Sequence, residues 1–105
     1  MSEREILHAI LGVVGAREDC RVWRNSVGAA KSRGGRFVQF GLPGSADILG
    51  IARGGRFIAI EVKSDRGQLS PEQRAFKAMV ERFGGIYVVA RCVEDAVRAV
   101  EGACA

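Results

Sequence analysis

Ile6, Leu7, Ile10, Leu11 and Val14 recur at the three- and four-residue spacing of one helix face. The pattern predicts an amphipathic helix from residue 3 to about 15, with Ser2 as N-cap and Gly15 at its end. Glu3 precedes Ile6 and Leu7 by three and four residues and shares their face, whereas Glu5 points elsewhere. The helix dipole alone also favours an acid in this first turn.

Next come short runs. Val22 to Asn25 has the make-up of a strand, and SVGAAKSRGG after it reads as a basic loop rich in glycine and serine. RFVQF alternates Phe37 and Gln39 against Val38 and Phe40, the period of a second strand. A turn-rich GLPGS leads into ADILGIA, and Gly54-Gly55 predicts a hairpin turn into RFIAIEVK. GGRFVQF and GGRFIAI look alike, but one such pair fits two similar hairpin strands better than a solenoid.

Beyond Lys63 the period changes. Ser70-Pro71-Glu72-Gln73 is a helix start with N-cap, N1 proline and a glutamine placed for a capping box. Phe76, Met79, Val80 and Phe83 form its apolar stripe, and Gly84-Gly85 stops it. Ile86 to Ala90 is apolar on both faces, which predicts a central strand. Val93 to about Val100 reads as a last helix with Val93, Ala96, Val97 and Val100 on one side. Helix, four strands, helix, strand, helix predicts an α/β fold, a mixed sheet flanked by helices. The strand 56–63, helix 71–83, strand 86–90 unit is a right-handed crossover if its strands are parallel.

Composition narrows the class. A chain of 105 residues suits one domain, 1–105, and 48% hydrophobic against 27% charged residues excludes a disordered tail. A domain this small buries about 60 to 70% of its extended-chain surface, so pairing with a second copy is a natural source of stability. Arg17, Arg21, Arg24, Lys31, Arg33 and Arg36 fall within twenty residues that hold only Glu18 and Asp19 as acids. Such a field attracts a polyanion, although a solvated basic surface has the same composition. No run reaches the roughly 18 apolar residues of a membrane span, and the start lacks a secretory pattern, so a cytoplasmic location is expected. Cys20, Cys92 and Cys104 are odd in number and widely spaced, with His8 the one imidazole, which indicates neither a disulfide framework nor a structural zinc site.

The chemistry gathers near one strand end. In RFIAIEVK, Ile58, Ile60 and Val62 occupy one face, and Phe57, Ala59, Glu61 and Lys63 the other. A Glu-x-Lys pair alone is as consistent with a surface ion pair of at most about 1 kcal/mol. Asp47 changes that reading, because antiparallel pairing across the Gly54-Gly55 turn brings it beside Glu61. Two adjacent carboxylates repel unless they share a proton or a cation, and Mg²⁺ prefers carboxylate, water and phosphate oxygens. The Val62 carbonyl can add one more oxygen. Lys63 can position or deprotonate an attacking water and offset phosphate charge, while a metal lowers that water's pKa. Gln73 reaches the same water if its helix runs beside the Glu61 strand; otherwise it faces solvent.

These segments together resemble the VRR-NUC branch of the PD-(D/E)xK nucleases, above all its short stand-alone phage and bacterial members. The resemblance is carried by Glu3 in the first helix, VWRN at 22–25, GLPGSADILG at 41–50, IEVK at 60–63 and LSPEQ at 69–73. It implies a restriction-endonuclease-like α/β fold and DNA phosphodiester hydrolysis with Mg²⁺ or Mn²⁺. It further implies Asp47, Glu61 and Glu3 as metal-binding acids, with Lys63 and Gln73 completing the catalytic set. Arg24 and Asn25 match the family's Arg-Asn pair, expected to contact the DNA backbone or the active site, with Lys31, Arg33 and Arg36 as further DNA contacts. Ala46 stands where the superfamily name has proline, a change that leaves the tight turn before Asp47 intact. By the same resemblance a homodimer would cut branched DNA. A nickase, flap or single-strand nuclease of the same fold, or a non-catalytic DNA-binding module, are the alternatives.

Overall fold

Ser2 opens α1 (Glu3–Gly15) with a reciprocal cap: its hydroxyl accepts from the Glu5 N–H while the Glu5 carboxylate accepts from the Ser2 N–H. Ile6, Leu7, Ile10 and Val14 are buried, as the spacing predicts. The computed structural model describes residues 1–105. After α1 come β1 (Cys20–Arg24), β2 (Gly28–Lys31), β3 (Phe37–Phe40), β4 (Ile48–Ala52) and β5 (Phe57–Val62). Then follow α2 (Pro71–Arg82), β6 (Ile86–Ala90) and α3 (Val93–Cys104). No helix is long and apolar enough to cross a membrane.

Four strands form a mixed sheet in the order β1-β4-β5-β6, antiparallel except for β5 and β6. α2 bridges that parallel pair, as the crossover reading expects. Alternation along β5 sends Ile58, Ile60 and Val62 into a core shared with Ile6, Ile10 and Val14 of α1 and Ala96 and Val100 of α3. Ala59 faces the other way, into a smaller core with Ala46, Phe76 and Val80 under α2. The layers are therefore helix pair, sheet, single helix, and Glu61 belongs to the α2 side. Gly54 and Gly55, at φ of 93° and 92°, make the β4–β5 turn that L-residues strain to adopt. That turn sets Ile48 opposite Ile60, which places Asp47 level with Glu61.

Four expectations need correction. The basic loop contains a strand: Gly28–Lys31 pairs antiparallel with Phe37–Phe40 as a separate two-stranded ribbon. Small residues there hid the alternation that marks a strand. β6 is an edge strand, not a central one; it is apolar on both faces because α2 covers one side and α3 the other. α3 continues to Cys104, since Ala103 adds a buried position after Val100. β1 also starts two residues earlier than expected and ends at Arg24.

Candidate active site at the ends of β4 and β5

Asp47 is held from three directions. Its carbonyl accepts from the Asn25 N–H at 2.8 Å, and its Oδ2 accepts from the Val62 N–H at 2.8 Å. The turn before it is tied down by Asn25, whose Nδ2 donates to Ser45 Oγ at 2.7 Å and to the Ala46 carbonyl at 2.9 Å. Gly44, at φ 83°, lies so close to α2 that a Cβ there would stand 2.4 Å from the Glu72 carbonyl oxygen. Gly44 thus docks the acid's turn on the first turn of the helix that carries Gln73.

Glu61 is 4% exposed, the one buried charged residue in the chain. Gln73 Nε2 donates to its Oε2 at 3.3 Å, and Lys63 Nζ stands 3.9 Å from the same oxygen. Its Oε1 is buried without a hydrogen-bond partner. Burial, then the hydrogen bond and charge of Asp47, push the Glu61 carboxyl up to about 8, against a smaller opposing pull from Lys63. Glu61 therefore holds a proton at neutral pH unless a cation takes its place. Gln73 is fixed at its other end, because its Oε1 accepts from the Ser70 N–H at 2.9 Å in the α2 capping box.

The structure brings together Asp47, Glu61, Lys63 and Gln73. Glu3 stands apart: it lines a cleft of roughly 270 Å³ with Arg4, Leu7, Arg24, Asp47 and Val62, but its Oε2 accepts from the Ser64 N–H at 3.0 Å. No group of three or more acidic, histidine or cysteine side chains closes around a common point. The cause is layering, since Glu3 arrives from the α1 side and Glu61 faces α2. Glu5 is taken up by the Ser2 cap. Arg24 shares the Asp47 cleft, whereas both Nδ2 protons of Asn25 are committed to the turn. Lys31, Arg33 and Arg36 lie on the β2–β3 ribbon and its tip, all exposed.

Sequence reasoning missed Tyr87. It lies beside Ala59 in the β5–β6 register, with its ring edge-on to Phe76, and its hydroxyl is buried without a partner. Burial and the nearby Glu61 and Asp47 charges raise its ionisation well above the phenol range. Only the β5–β6 register reveals that neighbourhood. A larger cleft at the opposite end of β4 is lined by Arg17, Asp19 and Arg53, but Asp19 is already held by two hydrogen bonds from Arg17.

Comparison with known families supplies the deciding observation. The family model of the VRR-NUC domain matches residues 31–94, more than half of the chain and a span that includes Asp47, Glu61, Lys63 and Gln73. The chain belongs to the VRR-NUC domain family. A search of curated proteins found no match. As a VRR-NUC domain the chain carries a nuclease-type, DNA-processing function, and its mixed α/β sheet is of the restriction-endonuclease-like kind. VRR-NUC nucleases generally use divalent metals. The acids present suit such an ion: Glu61 Oε1 is buried and unpartnered near the Asp47 carboxylate, and both are hard oxygen donors.

Proposed function

We propose that this protein, as one nuclease domain spanning 1–105, is an endonuclease that hydrolyses DNA phosphodiester bonds with Mg²⁺ or Mn²⁺ and prefers branched DNA. The observation that carries the reading is the buried Glu61, paired with Asp47 and left with one free oxygen, in a family of nucleases. Asp47 and Glu61 would hold the cation, with the Val62 carbonyl as a further donor and Glu3 at the rim of the cleft. Bound there, the ion would neutralise phosphate charge and acidify a water. Asp47 is oriented by the Val62 N–H, and Asn25 acts through the turn that positions it rather than by touching DNA. Gln73 fixes the Glu61 carboxylate from the helix side, a positioning role. Lys63 is the cation nearest the carboxylate; it would orient the attacking water and offset charge on the phosphate. Arg24 lines the cleft beside Asp47, where it would contact the phosphates of the strand to be cut.

Pairing of two copies is the finer part of the reading. It is supported by the α2 side of the sheet, where α2 packs on β6 and leaves β1 and β4 open. Trp23, Ile51 and Phe57, which share that face by register, are each more than a third exposed. The test is cleavage of an end-labelled four-way junction, flap, duplex and single strand in Mg²⁺, Mn²⁺ and EDTA, with Lys63→Ala alongside. Metal-dependent cutting that falls at least a hundredfold in Lys63→Ala is expected, fastest on the branched DNAs. Binding without cutting in either metal refutes the catalytic reading.

A further inference from the structure

The β2–β3 ribbon is the part of the molecule that the catalytic site does not explain. Every residue of both strands is exposed, and the ribbon has no more than a token contact with any other element. The radius of gyration, 14.3 Å, exceeds the roughly 13 Å of a compact chain of this length, as an arm standing off the body requires. The arm leaves the sheet after Arg24 and returns before Ile48, which are direct partners in the β1–β4 register. It therefore springs from the sheet end where Asp47 and Glu61 lie.

Its two faces differ. Gly28, Ala30, Val38 and Phe40 share one face, with the Phe40 ring lying over Gly28. Ala29, Lys31, Phe37 and Gln39 share the other, where Lys31 is the cross-strand partner of Phe37. Phe37 is 70% exposed, the most open aromatic residue on the arm. The tip is shaped in advance by hydrogen bonds from Ser32 N–H to the Arg36 carbonyl, from Gly35 N–H to the Ser32 carbonyl and from Arg36 N–H to Ser32 Oγ. It presents Arg33 and Arg36. None of Lys31, Arg33 and Arg36 has an acidic partner, and no Asp or Glu occurs between Asp19 and Asp47.

Three unpaired cations around an open aromatic ring fit a polyanion that also offers flat apolar faces. A second copy of the arm fits worse, because it would set like charges against each other. Duplex DNA buries its base faces in the stack, whereas an unpaired base at a branch exposes them. We infer that the β2–β3 arm is the element that senses branched DNA, with Phe37 stacking on an unpaired base while Lys31, Arg33 and Arg36 hold the adjoining phosphates. The inference rests on the nuclease reading for its partner and adds the residue that sets substrate preference. Phe37 touches no reacting atom; its contribution is to bring a branch point to the sheet end that holds Glu61.

The experiment uses the full chain in EDTA and a flap carrying 2-aminopurine at the single unpaired position next to the branch, with the same base inside a duplex as control. Binding should change the emission of the unpaired probe and leave the duplex probe steady. Phe37→Ala should bind the flap about tenfold more weakly while its duplex affinity shifts less than twofold, and Phe37→Trp should keep the flap preference. Changing Lys31, Arg33 and Arg36 together to alanine should weaken both DNAs and lower the salt slope by about three. Equal losses on both DNAs for Phe37→Ala, or none, overturn the inference, as does a switch from dimer to monomer on sedimentation. Discrimination retained by a protein that never cuts supports the arm and sinks the nuclease reading; cutting without discrimination does the reverse. Thermal melting of each variant separates these effects from loss of fold.

Discussion

Glu61→Gln should make the protein more stable at pH 8 in EDTA, although it removes a proposed metal ligand. Burial beside Asp47 raises the Glu61 carboxyl from its ordinary value of 4.5 to about 8. Between those two values the folded chain holds a proton that the unfolded chain has released. The folded state binds more protons, so stability is complete below the unfolded value and declines as pH rises through the folded one. At roughly 1.4 kcal/mol per pH unit the whole window gives about 5 kcal/mol, a ceiling because solvent screens part of the interaction with Asp47. We expect a loss on the order of 2 to 3 kcal/mol between pH 5 and 8. Glutamine mimics the protonated acid: its oxygen accepts from Gln73, and its amide can donate toward Asp47. Urea midpoints in EDTA at pH 5, 6, 7 and 8 should therefore slope downward for the native chain and stay nearly flat for the variant. Mg²⁺ or Mn²⁺ at pH 8 should recover the native midpoint and leave the variant unmoved, because the ion stabilises only a state that binds it. Parallel pH profiles for the two proteins would refute a proton held on Glu61.

Three more substitutions probe the scaffold around the acids. Asn25→Ala strips the Ala46 carbonyl and Ser45 hydroxyl of their donor and should cost about 1 to 3 kcal/mol; an unchanged melting temperature would show that the turn holds itself. Gly44→Ala should be worse, because its Cβ meets the Glu72 backbone at 2.4 Å, and cleavage should fall with stability as Asp47 and α2 are pushed apart. A variant that melts and cuts like the native chain would contradict that docking. Tyr87→Phe removes a buried hydroxyl that has no partner, so calorimetry in EDTA should find it neutral or slightly stabilising; a loss above about 1 kcal/mol would mean the hydroxyl has a partner in solution.

What the sequence made legible follows the range of the signal. α1 and α2 carry their caps and stripes within a dozen residues, and Gly54-Gly55 announces the turn that aligns Asp47 with Glu61. The position of β6 did not follow, because a strand covered by α2 and α3 has the same apolar faces at an edge as in the middle. β2 escaped notice because glycine and alanine show no alternation, so only pairing with Phe37–Phe40 defines it. The tie between Asn25 and the turn before Asp47 did not follow either, because its hydrogen bonds go to residues about twenty positions away. Glu3 shares a cleft with Leu7 and Asp47, yet phase along α1 carries no information about which side of the sheet Glu61 would occupy.

The arm enters and leaves the sheet at residues that lie directly opposite each other, Arg24 and Ile48, with the Asn25 N–H closing the gap by its hydrogen bond to the Asp47 carbonyl. In evolutionary terms this is a socket. The two strands meet whatever lies between them, and doubling such an insertion adds only about 0.6 kcal/mol of closure entropy. A lineage can lengthen the ribbon, trade its tip or replace it with a short turn without disturbing the sheet. Substrate choice and bond breaking are therefore free to diverge separately, and the segment from Val27 to Gly41 is the natural place to graft a different recognition element onto this core.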